Sequence, residues 1–157
     1  MAIDIRAHYG FWIELLASNY AKDLAALPEG AYTTSIGGAC RTAQNISTEI
    51  VLMTRVAKDV LEGGEIPGRD PAKFASLMEE LSTPEAAAQA VKDAAKEAGA
   101  AFAAASDETL AREVMMPWGM SMSLYALAHL CATHINYHDA QLNYIQSFHG
   151  DTEMHWF

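Results

Sequence analysis

The chain has few cysteines and few basic residues. The first shortage indicates the cellular compartment, and the second excludes some classes of binding partner. The two cysteines, Cys40 and Cys131, stand alone without CxxC spacing. This usage fits a protein of the reducing cytoplasm, in which we expect both to be small core residues. Lys and Arg together number 10 against 20 Asp and Glu, which gives a net charge of −10. We therefore expect neither a nucleic acid nor an anionic membrane surface as a partner.

Long apolar runs and nucleotide-binding motifs are also missing. No apolar run reaches about 18 residues, and MAIDIRAHYGFWIELL lacks a basic segment followed by an apolar core, so we expect neither a membrane span nor a signal peptide. Neither a Gly-rich phosphate loop nor a nucleophile elbow is present. Hydrophobic residues make up 51% of the 157 residues, which predicts one globular domain, 1–157, with a single core.

Apolar residues recur at steps of three and four, which predicts helices throughout. The predicted helices run over about 4–27, 36–61, 71–81, 84–105 and from Ser121 or Ser123 to Phe148, with a possible single turn at 107–112. Four of them are long, so we predict an all-α fold in the form of a four-helix bundle. A long connector between the second and third long helices allows a crossover, which would make those two helices parallel. We expect no strands.

The last predicted helix carries histidines on its apolar side. Leu127, Cys131, His134, His138, Gln141, Ile145 and Phe148 advance by four and three in alternation. His134, His138 and Gln141 should therefore point into the bundle, where unpartnered imidazoles would cost a few kcal/mol. Histidines at i and i+4 have the spacing of helical metal sites. The alternative is a pair of hydrogen-bonded core histidines. His129 lies about 140° around the helix and should not share the site.

The segment HINYHDAQ at 134–141 resembles the C-terminal helix of the DinB/YfiT-like superfamily, whose pattern is H-x-x-x-H-x-x-Q. The family often has Arg-Gly before the Gln, where this chain has Asp139 and Ala140. The resemblance implies a four-helix bundle with up-down-down-up topology, a long crossover between helices 2 and 3, and frequently a homodimer. It also implies a divalent metal (nickel, zinc or iron) held by three histidines, of which two match His134 and His138.

The resemblance places the third histidine in the second long helix, in the run RTAQNISTEIVLMTR. Its position falls on Asn45 or Gln44, ahead of Glu49, and amide oxygens are weaker ligands for transition metals than imidazole. Three arrangements stay open. Glu49 could complete a set of two histidines and one carboxylate; His8 could supply a nitrogen; or Asn45 or Gln44 could bond a histidine directly in a metal-free site.

Two classes of function follow from the resemblance. The first is a metal-dependent enzyme with hydrolase-like or thiol-transferase chemistry, whose partner is a small-molecule substrate or a thiol cofactor such as mycothiol or bacillithiol. In it His134 and His138 hold the metal, Glu49 is a ligand or catalytic base, and Gln141 orients a histidine. The second is a non-catalytic or metal-free member whose degenerate site serves as a small-ligand-binding or interaction module.

Overall fold

The structure, a computed structural model, describes residues 4–157 and is mostly helical there, as the all-α prediction requires. Its elements in chain order are α1 (Ile5–Ala25), α2 (Ala43–Leu61), α3 (Pro71–Glu80), α4 (Pro84–Ala104), α5 (Asp107–Ala111), β1 (Glu113–Met115), β2 (Ser121–Ser123) and α6 (Leu124–Phe148). None of the helices within 4–157 is both long enough and apolar enough to cross a bilayer.

Helix α2 begins at Ala43, later than the predicted start near Ile36. The Thr42 hydroxyl accepts a hydrogen bond from the Asn45 backbone N–H at 3.1 Å, which makes Thr42 the N-cap. Before it, Gly37 has a φ of 118° that only glycine adopts readily. The apolar periodicity therefore extended the predicted helix into a capped turn.

The connector before α6 contains two strands, so the expectation of none is wrong. β1 and β2 form an antiparallel hairpin in which Glu113 pairs with Ser123 and Met115 with Ser121. Gly119, with a φ of 83°, turns the chain between them. Ser123 then caps α6 by accepting a hydrogen bond from the Ala126 backbone N–H at 3.2 Å. The hairpin thus leads directly into the helix that carries the histidines.

Helix α1 packs against α4 through small residues. Tyr9, near the start of α1, lies 4.3 Å from Phe102, near the end of α4, between ring centroids. A Cβ on Gly99 would lie 3.3 Å from the Cα of Gly10. Glycine at position 99 therefore lets the two backbones approach closely, and the alanine-rich sequence of α4 serves the same packing.

Helix α1 also packs against α6, and the two run in the same direction. The Tyr9 hydroxyl donates to the Ala128 carbonyl at 3.0 Å, which joins the starts of the two helices. Gln146 donates to the Asp23 carbonyl at 2.8 Å, which joins their ends.

Helix α2 packs on the other side of α6 and runs in the opposite direction. The Cys131 thiol donates to the Met53 carbonyl at 3.7 Å. Arg112, just before β1, donates to the Val60 carbonyl near the end of α2 at 2.7 Å. Helix α6 therefore presents one side to α1 and the other to α2.

Some predicted core positions are wrong. On the first helix, steps of three and four from Tyr9 predict Trp12 as a core residue, but Trp12 is 44% exposed and its neighbour Ile13 is buried instead. Phe148 is 64% exposed. Cys131 is buried as predicted, whereas Cys40 is exposed. Each error follows from choosing between adjacent helical positions by periodicity alone, or from assuming that a cysteine is buried.

Candidate metal centre

His134 and His138 face α2 from successive turns of α6. Their rings are nearly perpendicular, with centroids 4.3 Å apart, and their Nε2 atoms are 3.0 Å apart. The His138 side chain is 2% exposed and the His134 side chain is 19% exposed. One histidine is thus sealed in the core, while the other reaches solvent.

Glu49, on α2, completes the group. Its carboxylate lies 3.4 Å from Nε2 of His134 and 3.9 Å from Nε2 of His138. One donor atom from each of the three side chains lies within 4.8 Å of the other two. Because α2 and α6 run antiparallel, residues near the start of α2 meet the middle of α6.

The separations of these donor atoms fit a single divalent metal ion. Ligands bound at about 2.0–2.1 Å lie about 3.3 Å apart in tetrahedral geometry and about 2.9 Å apart in octahedral geometry. Two of the observed separations between donor atoms, 3.0 Å for the histidine pair and 3.4 Å for His134 and Glu49, are close to these values. The third, 3.9 Å between His138 and Glu49, is longer. Two imidazole nitrogens and one carboxylate also suit a transition metal chemically.

Gln141 fixes which nitrogen of His138 is available. The Nδ1–H of His138 donates to Oε1 of Gln141 at 2.8 Å. In the neutral ring the lone pair is then on Nε2, which points at His134 and Glu49. This is the arrangement in which a neighbouring acceptor orients a metal-binding histidine.

The charge states of the group also suit cation binding. Burial lowers the pKa of His138 from 6.5 to about 4, so its ring is neutral near neutral pH. The hydrogen bond from His134, assisted by the positive charge of Arg41, lowers the pKa of Glu49 to about 2 against the opposing effect of burial. A neutral imidazole and an ionised carboxylate are the forms that bind metal.

One polar atom of the group has no partner. The Nδ1 of His134 is buried and makes no hydrogen bond within residues 4–157. Unlike His138, His134 therefore lacks an acceptor that orients its ring. Its position depends on its contacts with His138 and Glu49 through Nε2.

The structure turns the other predicted candidates away from this group. Gln44 donates through its side-chain amide to the carbonyls of Met78 and Leu81, at 2.9 and 3.3 Å. Asn45 accepts at Oδ1 from Arg41, at 2.7 Å. His8 is exposed and stacks on Trp12 at a centroid distance of 6.5 Å. Of the three open arrangements, the one with Glu49 is the one whose donor atoms the structure brings within 4.8 Å of one another.

Sequence reasoning overlooked Arg41. Its guanidinium forms an ion pair with Oε2 of Glu49 and donates from Nε to Oδ1 of Asn45. Asn45 and Glu49 lie one turn apart on one face of α2, and Arg41, four residues before Asn45 and just ahead of the Thr42 N-cap, contacts both. That spacing is a signal the sequence contains.

A second polar group, also overlooked, lies on the α1 side of α6. Asp139 is buried, and neither of its oxygens has a hydrogen-bond partner within residues 4–157. Asp23, also buried, accepts at Oδ2 from Asn143 at 2.6 Å and from the Trp156 indole at 2.7 Å. Burial and, secondly, the charge of Asp23 raise the pKa of Asp139 to about 8, so it is mainly protonated near neutral pH.

Comparison with known proteins places these observations in one family. The model that describes the DinB superfamily matches residues 13–142, a span that contains Glu49, His134, His138 and Gln141. No curated protein matches the chain.

Proposed function

The chain belongs to the DinB superfamily, and we propose that it is a metal-dependent enzyme with hydrolase-like or thiol-transferase chemistry. His134, His138 and Glu49 hold one divalent ion. The observation that carries the proposal is the convergence of two Nε2 atoms and one carboxylate within 4.8 Å, from two different helices. Glu49 takes the role that the family pattern gives to a third histidine.

The chain's own residues have distinct roles in this proposal. His138 and His134 offer their Nε2 lone pairs, and Gln141 keeps His138 in the required tautomer by accepting from Nδ1. Glu49 is ionised and one-third exposed, so it can neutralise part of the ion's charge or accept a proton from a substrate at the open side. A bound divalent ion supplies Lewis acidity, which lowers the pKa of a water or thiol.

The donor set leaves nickel, zinc and iron as candidate metals. Two histidines and one carboxylate are typical of iron(II) sites with open positions, and they also occur at catalytic zinc. The partial exposure of His134 and Glu49 gives a small-molecule substrate or a thiol cofactor access to the ion from solvent.

We further infer an up-down-down-up four-helix bundle within a single domain, 1–157. The antiparallel pairing of α1 with α4, the parallel pairing of α1 with α6 and the antiparallel pairing of α2 with α6 support this order, since they make α2 parallel to α4. We also propose a homodimer. The resemblance to the family implies it, and the chain exposes large apolar side chains that a second copy could cover, Phe11 and Trp12 near the start of α1 and Tyr144 and Phe148 near the end of α6.

Metal analysis of protein purified without a His-tag tests the site. We expect about one equivalent of nickel, zinc or iron, either as purified or after reconstitution, and its loss in the variant His134→Ala/His138→Ala. His149→Ala is the matched control, because His149 is exposed at the end of the same helix. It should keep the metal.

Activity assays then separate the enzyme from a non-catalytic member. Metal-loaded protein should hydrolyse an activated ester or accelerate attack of a small thiol on an electrophile, and the double histidine variant should do neither. A protein that binds no metal after reconstitution contradicts the proposal and favours the alternative of a degenerate ligand-binding module.

A further inference from the structure

We propose that Arg41 recognises a carboxylate on the substrate, so that the site takes small anionic molecules. This inference rests on the proposed metal site and adds the substrate class to it. Arg41 lies immediately before the N-cap of α2 and forms an ion pair with Oε2 of Glu49, the carboxylate that also faces both histidines. The Glu49 carboxylate therefore lies between the Arg41 guanidinium and the proposed ion.

Some of the hydrogen-bond donors of the Arg41 guanidinium are free to bind a ligand. Its Nε donates to Oδ1 of Asn45 at 2.7 Å, and its Nη2 serves Glu49 and the Asn45 carbonyl, the latter at 3.4 Å. No hydrogen bond from its Nη1, which carries two N–H groups, is found within residues 4–157. The side chain is 37% exposed, so an incoming anion can reach these groups from solvent.

The electrostatics favour an anion at this position when the metal is bound. Without an ion, the Arg41 and Glu49 charges cancel. A divalent ion at His134, His138 and Glu49 leaves the group with net positive charge. Because the chain as a whole carries a net charge of −10, an anion that binds here does so against the overall field, through local contacts.

A single guanidinium selects a carboxylate over a phosphate. Among the described residues, Arg41 is the only Lys or Arg in contact with Glu49. The one nitrogen of Arg41 that is left, Nη1, can donate a charge-assisted hydrogen bond to a carboxylate oxygen, whereas a phosphate dianion usually gathers several cationic or N–H donors. The structure offers the first kind of partner here.

Asn45 is a positioning residue in this arrangement. The family pattern expects a histidine ligand at position 44 or 45, but here the Asn45 amide holds the guanidinium of Arg41 from one helical turn away. The position has thus exchanged a contact with the metal for a contact with the arginine. This exchange gives the site a fixed cation at its open side.

Two thiols that differ in charge test the assignment on cobalt(II)-loaded protein. 3-Mercaptopropionate and 2-mercaptoethanol both offer sulfur to the metal, but only the first carries a carboxylate. Titration is followed by the sulfur-to-cobalt charge-transfer band, without air. We expect the wild type to bind 3-mercaptopropionate about tenfold more tightly than 2-mercaptoethanol, as one added charged hydrogen-bonded contact provides.

Arg41→Gln should abolish this preference while changing the affinity for 2-mercaptoethanol by less than about threefold. Asn45→Ala should reduce the preference by a smaller factor, because the guanidinium remains but is less well held. Arg55→Gln is the matched control. It removes the same charge from an exposed position on the same helix and should keep the full preference.

The affinity for cobalt is measured separately for each protein, which distinguishes the two proposals. The role of Arg41 is overturned if the cobalt-loaded wild type binds both thiols with equal affinity, or if Arg41→Gln loses affinity for both thiols. Either result leaves the proposed metal site unaffected. Failure of the wild type to bind cobalt overturns both.

Discussion

Helix α6 presents a different polar group on each of its two packed sides. Towards α2, His134 and His138 meet Glu49 in a cluster that is open to solvent on one side. Towards α1, Asp139 meets Asp23 in a cluster in which both carboxyl groups are about 1% exposed. The first group has converging lone pairs and an ionised carboxylate, whereas the second holds its proton and ties the helices and the C-terminal segment together.

Because of this difference, we expect the α2 side of α6 to bind metal and the α1 side to stabilise the fold. A cluster with converging acceptors and an open side can take a cation at little cost to the fold. A sealed cluster that joins neighbouring helices contributes to the fold, and each broken contact leaves a buried group unpaired. Substitutions on the α2 side should therefore change metal affinity, and those on the α1 side should change the free energy of unfolding.

The largest expected effect is that of Glu49→Gln on metal affinity. The variant keeps the side chain's shape but removes the charged ligand, so we expect the affinity to fall by at least about 100-fold. Competition with a chromophoric chelator measures it. Glu62→Gln, at the other end of α2, should leave the affinity unchanged. If Glu49→Gln binds metal like the wild type, the carboxylate is not a ligand.

Asp23→Leu should lower the free energy of unfolding and leave the metal affinity nearly unchanged. It leaves the amide of Asn143 and the indole N–H of Trp156 without their acceptor, so we expect a loss of about 2 kcal/mol in the free energy of unfolding. Urea denaturation in the presence of a chelator measures this loss. Asp23→Asn keeps one oxygen as an acceptor and should lose less. A large change in metal affinity in either variant would break the separation between the two sides.

Gln141→Ala should weaken metal binding about tenfold, because His138 loses the acceptor that fixes its tautomer. Gln141→Glu keeps an acceptor at the same place and should bind metal at least as well as the wild type. The same chelator competition compares the two. Equal losses in both variants would mean that the acceptor does not orient the histidine.

A further expected effect is a pH dependence of the stability on the α1 side. The pKa of Asp139 is raised from 3.8 to about 8, so the native state binds this proton more tightly than the unfolded state does. Its contribution to stability is complete below the unfolded value and is lost as the pH rises towards 8. Asp139→Asn cannot ionise.

Metal-free denaturation of both proteins at several pH values checks this prediction. As the pH rises from about 4 to 8, the wild type should lose stability relative to Asp139→Asn, so the free energy of unfolding of the variant minus that of the wild type should increase. Parallel pH profiles would mean that Asp139 ionises as easily in the folded chain as in the unfolded one.

Local patterns account for most of what the sequence predicts correctly. The helical class and the common side of His134 and His138 follow from periodicity within a single helix. The proximity of Glu49 was one of three open arrangements, because it depends on how α2 lies against α6. Arg41 could have been found, since its spacing to Asn45 and Glu49 is local.

The remaining features depend on contacts that are distant in sequence. Asp23 and Asp139 meet only because α1 and α6 run side by side, and no spacing within either helix predicts two buried carboxyl groups. The hairpin escaped prediction because its strands are three residues each, too short for an alternating pattern. Helix α2 begins later than predicted because the Thr42 cap fixes its first turn, whereas the prediction followed apolar periodicity.

Anomalous diffraction from crystals of the metal-loaded protein, recorded at the absorption edge of the bound metal, tests the central claim most directly. The account predicts one strong peak at about 2.0–2.2 Å from Nε2 of His134, Nε2 of His138 and a carboxylate oxygen of Glu49. A peak elsewhere, or no peak at this cluster in protein supplied with excess metal, would contradict it.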